Sequence, residues 1–251
     1  MILIENFIKL IKDHLLSKKA LSVIRYGDGE TMMLDDDVSD RAFILKKVLG
    51  YIPSNSDIQA MNNNLIAAYK DCDIIGIPTE RHLRRLDNWG KSLTVFKKVI
   101  GEEILLAKLK TSIDIFYELL STNLYEELFT KLDTLNYISC RNLDEAFKSK
   151  FNIKQVRSFI IAPEPTYTSG YVGDKHFPEQ FNRIGRWMEN ICIEGSLCLV
   201  GAGIPGKIYN NWFRDLGGIS LDVGAVFDLW AGFKTRGAGR GLDVVDETFK
   251  L

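Results

Sequence analysis

The chain of 251 residues is short of net charge, of cysteine, of histidine and of long apolar runs. Lys and Arg (32 residues) almost cancel Asp and Glu (33 residues), which leaves a net charge of −1. Such a balance provides no overall positive field for a nucleic-acid backbone, and we therefore expect no nucleic-acid partner. No apolar stretch approaches the roughly 20 residues that a membrane-spanning helix needs, which predicts no transmembrane segment.

The four cysteines and three histidines lack the spacing of a metal site. No C-x-x-C pair occurs, and no histidine lies at zinc-ligand spacing. We therefore expect free thiols in a reducing compartment and predict a cytoplasmic protein. The N-terminal stretch carries Glu5 and Asp13 among its apolar residues and has no small-residue cleavage site. It predicts an amphipathic helix packed on the core rather than a signal peptide.

Short apolar runs alternate with longer amphipathic ones along the chain. This alternation is typical of α/β proteins, in which a mostly parallel sheet carries helices on both faces. We predict one Rossmann-like domain over residues 1–251, with a helical insertion at about 80–135. Ligands of such sheets bind at the carboxyl ends of strands, which selects the segments after Tyr26, Val200 and Leu221.

The motif RYGDGE (25–30) leaves the first predicted strand with two carboxylates one residue apart and glycines beside them. Asp28 and Glu30 could hold Mn²⁺ or Mg²⁺ through oxygen ligands and leave positions open for substrate phosphates. A plain polar turn, with Asp28 capping the next helix, would produce the same short pattern. The predicted substrate contacts of this turn are Arg25, Tyr26 and Gly27.

The motif GAGIPG (201–206) has the G-x-G-x-x-G spacing, follows an apolar strand and opens a helix. Glycines there let the backbone approach a diphosphate, and Asp222 ends the next strand at the spacing of dinucleotide-binding units. Three alternatives stay open: a nucleotide-sugar diphosphate, NAD(P), or a glycine turn that serves only tight helix–strand packing. The predicted ligand contacts of this turn are Gly201, Gly203, Gly206 and Lys207.

Two stretches of the chain resemble one known family. SVIRYGDGE (22–30) is similar to the opening strand and D-x-E motif of the GT-D-type bacterial glycosyltransferases. LCLVGAGIPGKIYNNWFRDLGGISLDVGAVFDLWAGF (197–233) is similar to the C-terminal strand, glycine turn, helix and strand of that family. The resemblance covers somewhat under half of the chain. It implies a single Rossmann-like domain, a nucleoside-diphosphate-sugar donor, and a divalent metal at Asp28 and Glu30.

The resemblance breaks down after the last predicted strand. Some members of the family read D-I-G-H-I-D there, whereas this chain has Ala225 at the histidine position and Phe227 at the second acidic position. The roles of those side chains do not carry over. Asp222 and Asp228 are the nearest remaining acids, and we predict them as the catalytic residues. Further candidates for the general base, in or beside the loop after an earlier strand, are Glu164, Asp174 and His176.

These patterns predict a metal-dependent glycosyltransferase of polysaccharide biosynthesis. It would transfer a sugar from a nucleoside-diphosphate sugar, with a UDP-sugar as the leading donor, to a hydroxyl of a glycan or glycoconjugate. Tyr171 lies in a loop rich in glycine and aromatic residues and is predicted to stack on a sugar ring. Two alternatives remain: an NAD(P)-dependent oxidoreductase that uses GAGIPG and Asp222, and a non-catalytic nucleotide-binding subunit of a polysaccharide assembly complex.

Overall fold

The structure, a computed structural model, describes residues 1–85, 87–165, 171–191, 194–233 and 251. Seven strands of these residues form one sheet: β1 (Leu21–Arg25), β2 (Ile74–Ile77), β3 (Leu109–Ser112), β4 (Thr134–Ser139), β5 (Gln155–Ile160), β6 (Leu197–Gly201) and β7 (Ile219–Asp222). Their order is β3-β2-β1-β7-β6-β4-β5, and every neighbouring pair is parallel. The predicted α/β fold with a mostly parallel sheet is confirmed.

Helices of the described residues connect and flank the strands. They are α1 (Ile4–Ser17), α2 (Asp28–Leu34), α3 (Val38–Leu49), α4 (Asn55–Asp71), α5 (Glu80–Arg85), α6 (Asp87–Ile100), α7 (Glu102–Ala107), α8 (Ile115–Glu118), α9 (Leu124–Phe129), α10 (Asp144–Phe151), α11 (Phe181–Glu189), α12 (Gly206–Asp215) and α13 (Val226–Trp230). A 3₁₀ turn covers Leu119–Ser121, and a π-helical turn covers His176–Gln180.

Side chains alternate between the two faces along each buried strand, so both faces of the sheet are apolar. Helices therefore cover both faces. In β6, Cys198 and Val200 join a core with α2, α4, α6, α11 and α12. Leu197 and Leu199 join a second core with α1, α9, α10 and α13 on the other face. The first helix contributes Phe7, Ile8 and Ile11 to that second core, which confirms the predicted packing of an amphipathic helix. Within the described ranges, none of the helices combines the length and apolar character required to cross a membrane.

The helical insertion predicted at about 80–135 also contributes to the sheet. Residues 109–112 form β3, which pairs with β2 in parallel and lies at one edge. The sequence shows little of this strand, since it has four residues and only Thr111 is buried. Pairing with β2 supplies the order that the local pattern does not predict.

The helix α12 is fixed to the sheet by buried amide side chains. Asn211 accepts a hydrogen bond from Ser22 of β1 at 2.6 Å and donates to the carbonyl of Ala68 at 2.9 Å. Asn210 accepts a hydrogen bond from Ser220 of β7 at 2.6 Å. These bonds satisfy polar groups that are fully enclosed, as burial demands. They also fix the middle of α12 against β1 and β7, so that the start of this helix, which follows the glycine motif, lies at the carboxyl edge of the sheet.

Candidate active site at the carboxyl edge of the sheet

A cavity of about 360 Å³ opens at the carboxyl edge of the sheet. Its walls come from the turn between β1 and α2, from α3, and from the segments that follow β4, β5, β6 and β7. The three segments that the sequence predicts as ligand sites therefore meet at one place. They do so because parallel strands present all their carboxyl ends at the same edge.

The two carboxylates of the RYGDGE motif have different surroundings. Asp28, the first residue of α2, is exposed and lines the cavity, and its Oδ1 accepts a hydrogen bond from Gly29 N–H at 3.0 Å. Glu30 is buried: its Oε1 lies 3.0 Å from Lys207 Nζ, and its Oε2 accepts from Gly27 N–H at 2.9 Å. Of the pair, Asp28 is the carboxylate that is open to a ligand.

Arg25, Glu30, Lys207 and Asp222 form a buried charge cluster at the floor of the cavity. Asp222 is 1% exposed, and its Oδ2 lies 3.0 Å from Lys207 Nζ. Its Oδ1 lies 3.3 Å from Arg25 Nη2, and its Oδ2 also accepts from Arg25 N–H at 3.2 Å. Two positive and two negative side chains thus balance one another, as buried charges must.

This balance keeps Asp222 and Lys207 ionised. Burial opposes the charge of Asp222, but Arg25 and Lys207 outweigh it and hold the pKa of that carboxyl below its ordinary range. Burial likewise opposes the charge of Lys207, yet Asp222 and Glu30 keep its pKa above the ordinary range. A carboxylate bonded to two cations is a poor proton acceptor. The predicted role of Asp222 as a general base therefore does not fit its position, which is that of a counter-ion.

The glycine motif serves two purposes in the structure. A Cβ at Gly201 would lie 2.4 Å from the Phe227 ring, and one at Gly206 would lie 3.2 Å from Val200 and Ala202 side chains. Those two glycines permit close packing. Gly201 and Gly203 both line the cavity, but only at Gly203, whose φ is +57°, is there room for a Cβ, which would meet other atoms at 3.6 Å. Gly203 is thus the position at which the backbone can approach a ligand most closely.

Two tyrosines predicted as substrate contacts lie away from the cavity lining. Tyr26 is fully buried, with its ring centroid 3.9 Å from that of Phe96, and its hydroxyl donates to Ser92 C=O at 2.8 Å. The alternation of side chains along β1 turns Tyr26 into the core, so its side chain stands outside the cavity lining, and the substrate contact stays a prediction. Tyr171 is 48% exposed and stands outside the residues that line the cavity. Residues 166–170 of its loop lie outside the described residues.

The sequence did not predict a cation that lines the cavity at the end of β4. Arg141 Nε donates to Asp228 Oδ1 at 2.7 Å, and its guanidinium lies 4.1 Å from the centroid of the Phe233 ring. Both Arg141 and Asp228 line the cavity. The available signal was the position of Arg141 just after an apolar strand. It points to the site only when β4 is known to lie beside β6.

The three further candidates for the general base separate in the structure. Glu164 and His176 line the cavity. Asp174 is exposed, pairs with Arg183 and stands outside the cavity lining. His176 is 7% exposed, and burial lowers its pKa to about 4, so the ring is neutral at physiological pH.

The open carboxylate of Asp28 suits a hard divalent cation. Mg²⁺ commonly binds through one or two carboxylates, with waters and substrate phosphates completing its coordination. Among the described residues, no group of three or more His, Cys, Asp or Glu side chains is arranged to hold a metal ion. The residues therefore fit an ion shared between Asp28 and ligand phosphates, rather than one enclosed by the protein. Glu30, bonded to Lys207, does not share that ion in the arrangement described.

An all-parallel sheet with a charged cavity at its carboxyl edge defines an α/β protein with a ligand site at the strand ends. A model of the GT-D fold-like domain matches residues 4–230, and the chain belongs to this family. This assignment confirms the resemblance found in the sequence and the predicted class, a glycosyltransferase of the GT-D type.

Two solved structures share this fold. A selenomethionine-substituted domain of unknown function 1792 matches with a TM-score of 0.55 and 16% identity, covering 94% of this chain and 83% of its own. A second structure is described as the highly conserved domain of unknown function 1792 with a distinct glycosyltransferase fold. It matches with a TM-score of 0.54 and 15% identity over the same shares, 94% and 83%. No curated protein matches the chain in sequence.

Proposed function

We propose that the protein is a metal-dependent glycosyltransferase that uses a nucleoside-diphosphate sugar, with a UDP-sugar as the first donor to test. The acceptor would be a hydroxyl of a glycan or glycoconjugate. The observation that carries the proposal is the exposed carboxylate of Asp28 in the same cavity as the open glycine turn at Gly203. The Asp28 carboxylate can bind a divalent cation, and the turn at Gly203 lets the backbone approach a phosphate closely.

Different cavity residues would bind the metal and accept the proton during transfer. The acceptor oxygen attacks the anomeric carbon, the bond from that carbon to the diphosphate breaks, and the acceptor proton passes to a carboxylate. Bound Mg²⁺ or Mn²⁺ would neutralise charge on the departing diphosphate, and Asp28 would hold it. The carboxylates of Glu164 and Asp228 line the same cavity. The bond to Arg141 lowers the basicity of Asp228. Glu164 Oε1 would lie 3.6 Å from a Cβ at Gly203, beside the turn proposed to hold the diphosphate, so we assign the proton to Glu164.

The structure weakens the NAD(P)-dependent alternative. In an NAD(P)-dependent enzyme of this kind, Asp222 would accept a hydrogen bond from a ribose hydroxyl. Asp222 is instead enclosed by Arg25 and Lys207 and is absent from the cavity lining. A non-catalytic nucleotide-binding subunit would bind the donor without transfer or hydrolysis. The cytoplasmic location and the lack of a nucleic-acid partner stay predictions.

Thermal melting with UDP and Mn²⁺ tests the metal-dependent site. Ligand at about 100 times its Kd stabilises a protein by about 2.7 kcal/mol, which raises the Tm of a chain of this size by several degrees. We expect this shift in the wild type, and we expect EDTA or Asp28→Ala to abolish it. Asp36→Ala, which removes an exposed carboxylate paired with Lys98 outside the cavity lining, is the matched control.

Donor hydrolysis and transfer, assayed over a panel of UDP-sugars, then test catalysis. Loss of a general base lowers turnover by about 10²–10⁴. We expect that loss in Glu164→Gln and a smaller one in Asp228→Asn. Full activity in EDTA or in Asp28→Ala would contradict the metal assignment. Nucleotide binding without any turnover would favour the non-catalytic alternative.

A further inference from the structure

His176 lies on the cavity wall at a position fixed from behind by Tyr209. Its Nε2 is 3.0 Å from the Tyr209 hydroxyl, and the two rings have centroids 5.8 Å apart. Tyr209 is fully buried on α12, where its ring contacts Phe181 and Trp212. The tyrosine is therefore held rigidly, and the orientation of the histidine follows from it.

The hydrogen-bond inventory of Tyr209 selects one histidine tautomer. A hydroxyl has one donor hydrogen, and a buried donor left unused destabilises the fold. Within the described part of the chain, His176 Nε2 is the single hydrogen-bond partner of the Tyr209 hydroxyl. The hydroxyl hydrogen therefore points to Nε2, which must accept it. In a neutral imidazole the ring proton then resides on Nδ1.

His82 shows the opposite arrangement in the same chain. The backbone N–H of Thr79 lies 3.2 Å from His82 Nδ1, so Nδ1 accepts. His82 Nε2 lies 2.7 Å from Asp114 Oδ2 and carries the proton. The two histidines thus differ in the nitrogen that is protonated, because their partners differ in what they donate. His82 serves as an internal reference for the tautomer of His176.

We propose that Tyr209 holds His176 as the Nδ1–H tautomer and that this N–H donates a hydrogen bond to an oxygen of the bound substrate. His176 is then a recognition residue and not the general base, since its accepting nitrogen is already occupied. The identity of the substrate rests on the proposed function. The acceptor is an oxygen of the nucleoside diphosphate or a hydroxyl of the sugar, which share the same hydrogen-bonding chemistry. The burial that lowers the pKa of His176 agrees with a neutral ring.

Nitrogen-15 NMR of the free wild-type protein tests the tautomer directly. The chain has three histidines, so two-bond correlations of the ring nitrogens resolve into three patterns. We expect His176 to show a protonated Nδ1 that does not titrate between about pH 5 and pH 8, whereas neutral His82 shows a protonated Nε2. Tyr209→Phe should release the restraint and mix the two tautomers of His176. A protonated Nε2 in the wild type, or titration within that range, would overturn the proposal.

Substitutions of His176 test the donated hydrogen bond. An asparagine amide can place an N–H near the position of Nδ1, whereas a glutamine amide reaches nearer to Nε2. A neutral hydrogen bond changes an equilibrium by about 2- to 10-fold. We expect His176→Leu and His176→Gln to lower kcat/KM about 10-fold, and His176→Asn to restore part of that loss. If the Asn and Leu variants lose kcat/KM equally, and by as much as removal of a general base causes, His176 does not act as a hydrogen-bond donor.

Binding of UDP and of intact UDP-sugar, each with Mn²⁺, distinguishes the two sources of the oxygen. Weaker binding of both by His176→Leu assigns the contact to the nucleoside diphosphate, and weaker binding of the UDP-sugar alone assigns it to the sugar. Unchanged binding of both would exclude the contact. If the wild type binds neither, the proposed function fails and the substrate contact fails with it. The spectra of the free protein decide the tautomer in either case.

Discussion

The floor and the wall of the cavity carry the same kinds of charged side chain, but in different surroundings. On the floor, Lys207 lies 3.0 Å from both Glu30 and Asp222, and all three are almost completely buried. On the wall, Asp28 is exposed to the cavity. When a buried charge loses its partner, no water can take the place of that partner. An exposed charge that loses its partner is hydrated instead. The floor should therefore determine stability and the wall should determine ligand binding.

Lys207→Met should have the largest effect on stability. It keeps the length of the side chain but leaves Glu30 and Asp222 without their shared cation, and breaking a buried pair costs about 3–5 kcal/mol. Asp28→Ala should lower the free energy of unfolding by less than about 1 kcal/mol, because it removes an exposed carboxylate at the start of a helix. Urea denaturation of both variants measures the difference. Equal losses would remove the distinction between floor and wall.

Asp222→Asn should sharpen the comparison through its pH dependence. The folded-state pKa of Asp222 lies below the unfolded-state pKa of about 3.9. The ionised carboxylate therefore makes its full contribution to stability at any pH well above the unfolded-state pKa. This contribution is lost as pH falls through the folded-state pKa, at up to about 1.4 kcal/mol per pH unit for one proton. The gap in stability between wild type and Asp222→Asn should therefore narrow from neutral pH to about pH 2. A gap that stays constant would contradict the paired, ionised state of Asp222.

Gly203 offers a test of the wall that separates binding from backbone strain. Its φ of +57° disfavours Ala by about 1–2 kcal/mol, whereas Asn adopts this conformation more readily. Gly203→Asn should thus be more stable than Gly203→Ala but bind UDP more weakly, because its longer side chain extends into the cavity. Melting temperatures and UDP titrations of the two variants check this order. If binding instead follows stability, the turn serves packing and not phosphate.

Arg141→Lys should have the smallest effect. It keeps the positive charge but loses the Nε bond to Asp228 and the planar contact with Phe233. Partly exposed pairs of this kind contribute about 1 kcal/mol or less. We expect a loss of that size in urea denaturation and a measurable fall in UDP affinity. If Arg141→Lys lowers the free energy of unfolding as much as Lys207→Met does, Arg141 contributes to stability in the same way as the buried charges of the floor.

The strands and motifs were largely predictable because their signals are local. The apolar run that ends at GAGIPG predicts β6, and the run before RYGDGE predicts β1. The local pattern does not predict the edge strand β3, because Leu109–Ser112 buries a single side chain and depends on its pairing with β2. Local patterns thus predict central strands better than edge strands.

The roles of individual site residues were less predictable. The sequence places Asp28 and Glu30 together as one metal site, but Lys207 approaches Glu30 from a distant part of the chain and separates their roles. The sequence does not predict Arg141 at the site, since nothing near it in the chain indicates that β4 borders β6. Both results depend on distances between segments that are far apart in the chain.

The amino-acid sequence alone is enough to predict the fold class and the two turns that form the site, because side-chain periodicity and glycine spacing act over a few residues. The family was indicated by the resemblance of two motifs. The three-dimensional arrangement establishes which charges pair, which carboxylate stays open and which nitrogen of His176 accepts a hydrogen bond from Tyr209. Those outcomes follow from burial and from contacts of about 3 Å, such as the 3.0 Å between Lys207 and Asp222. Such contacts form only when the strands have assembled into one sheet.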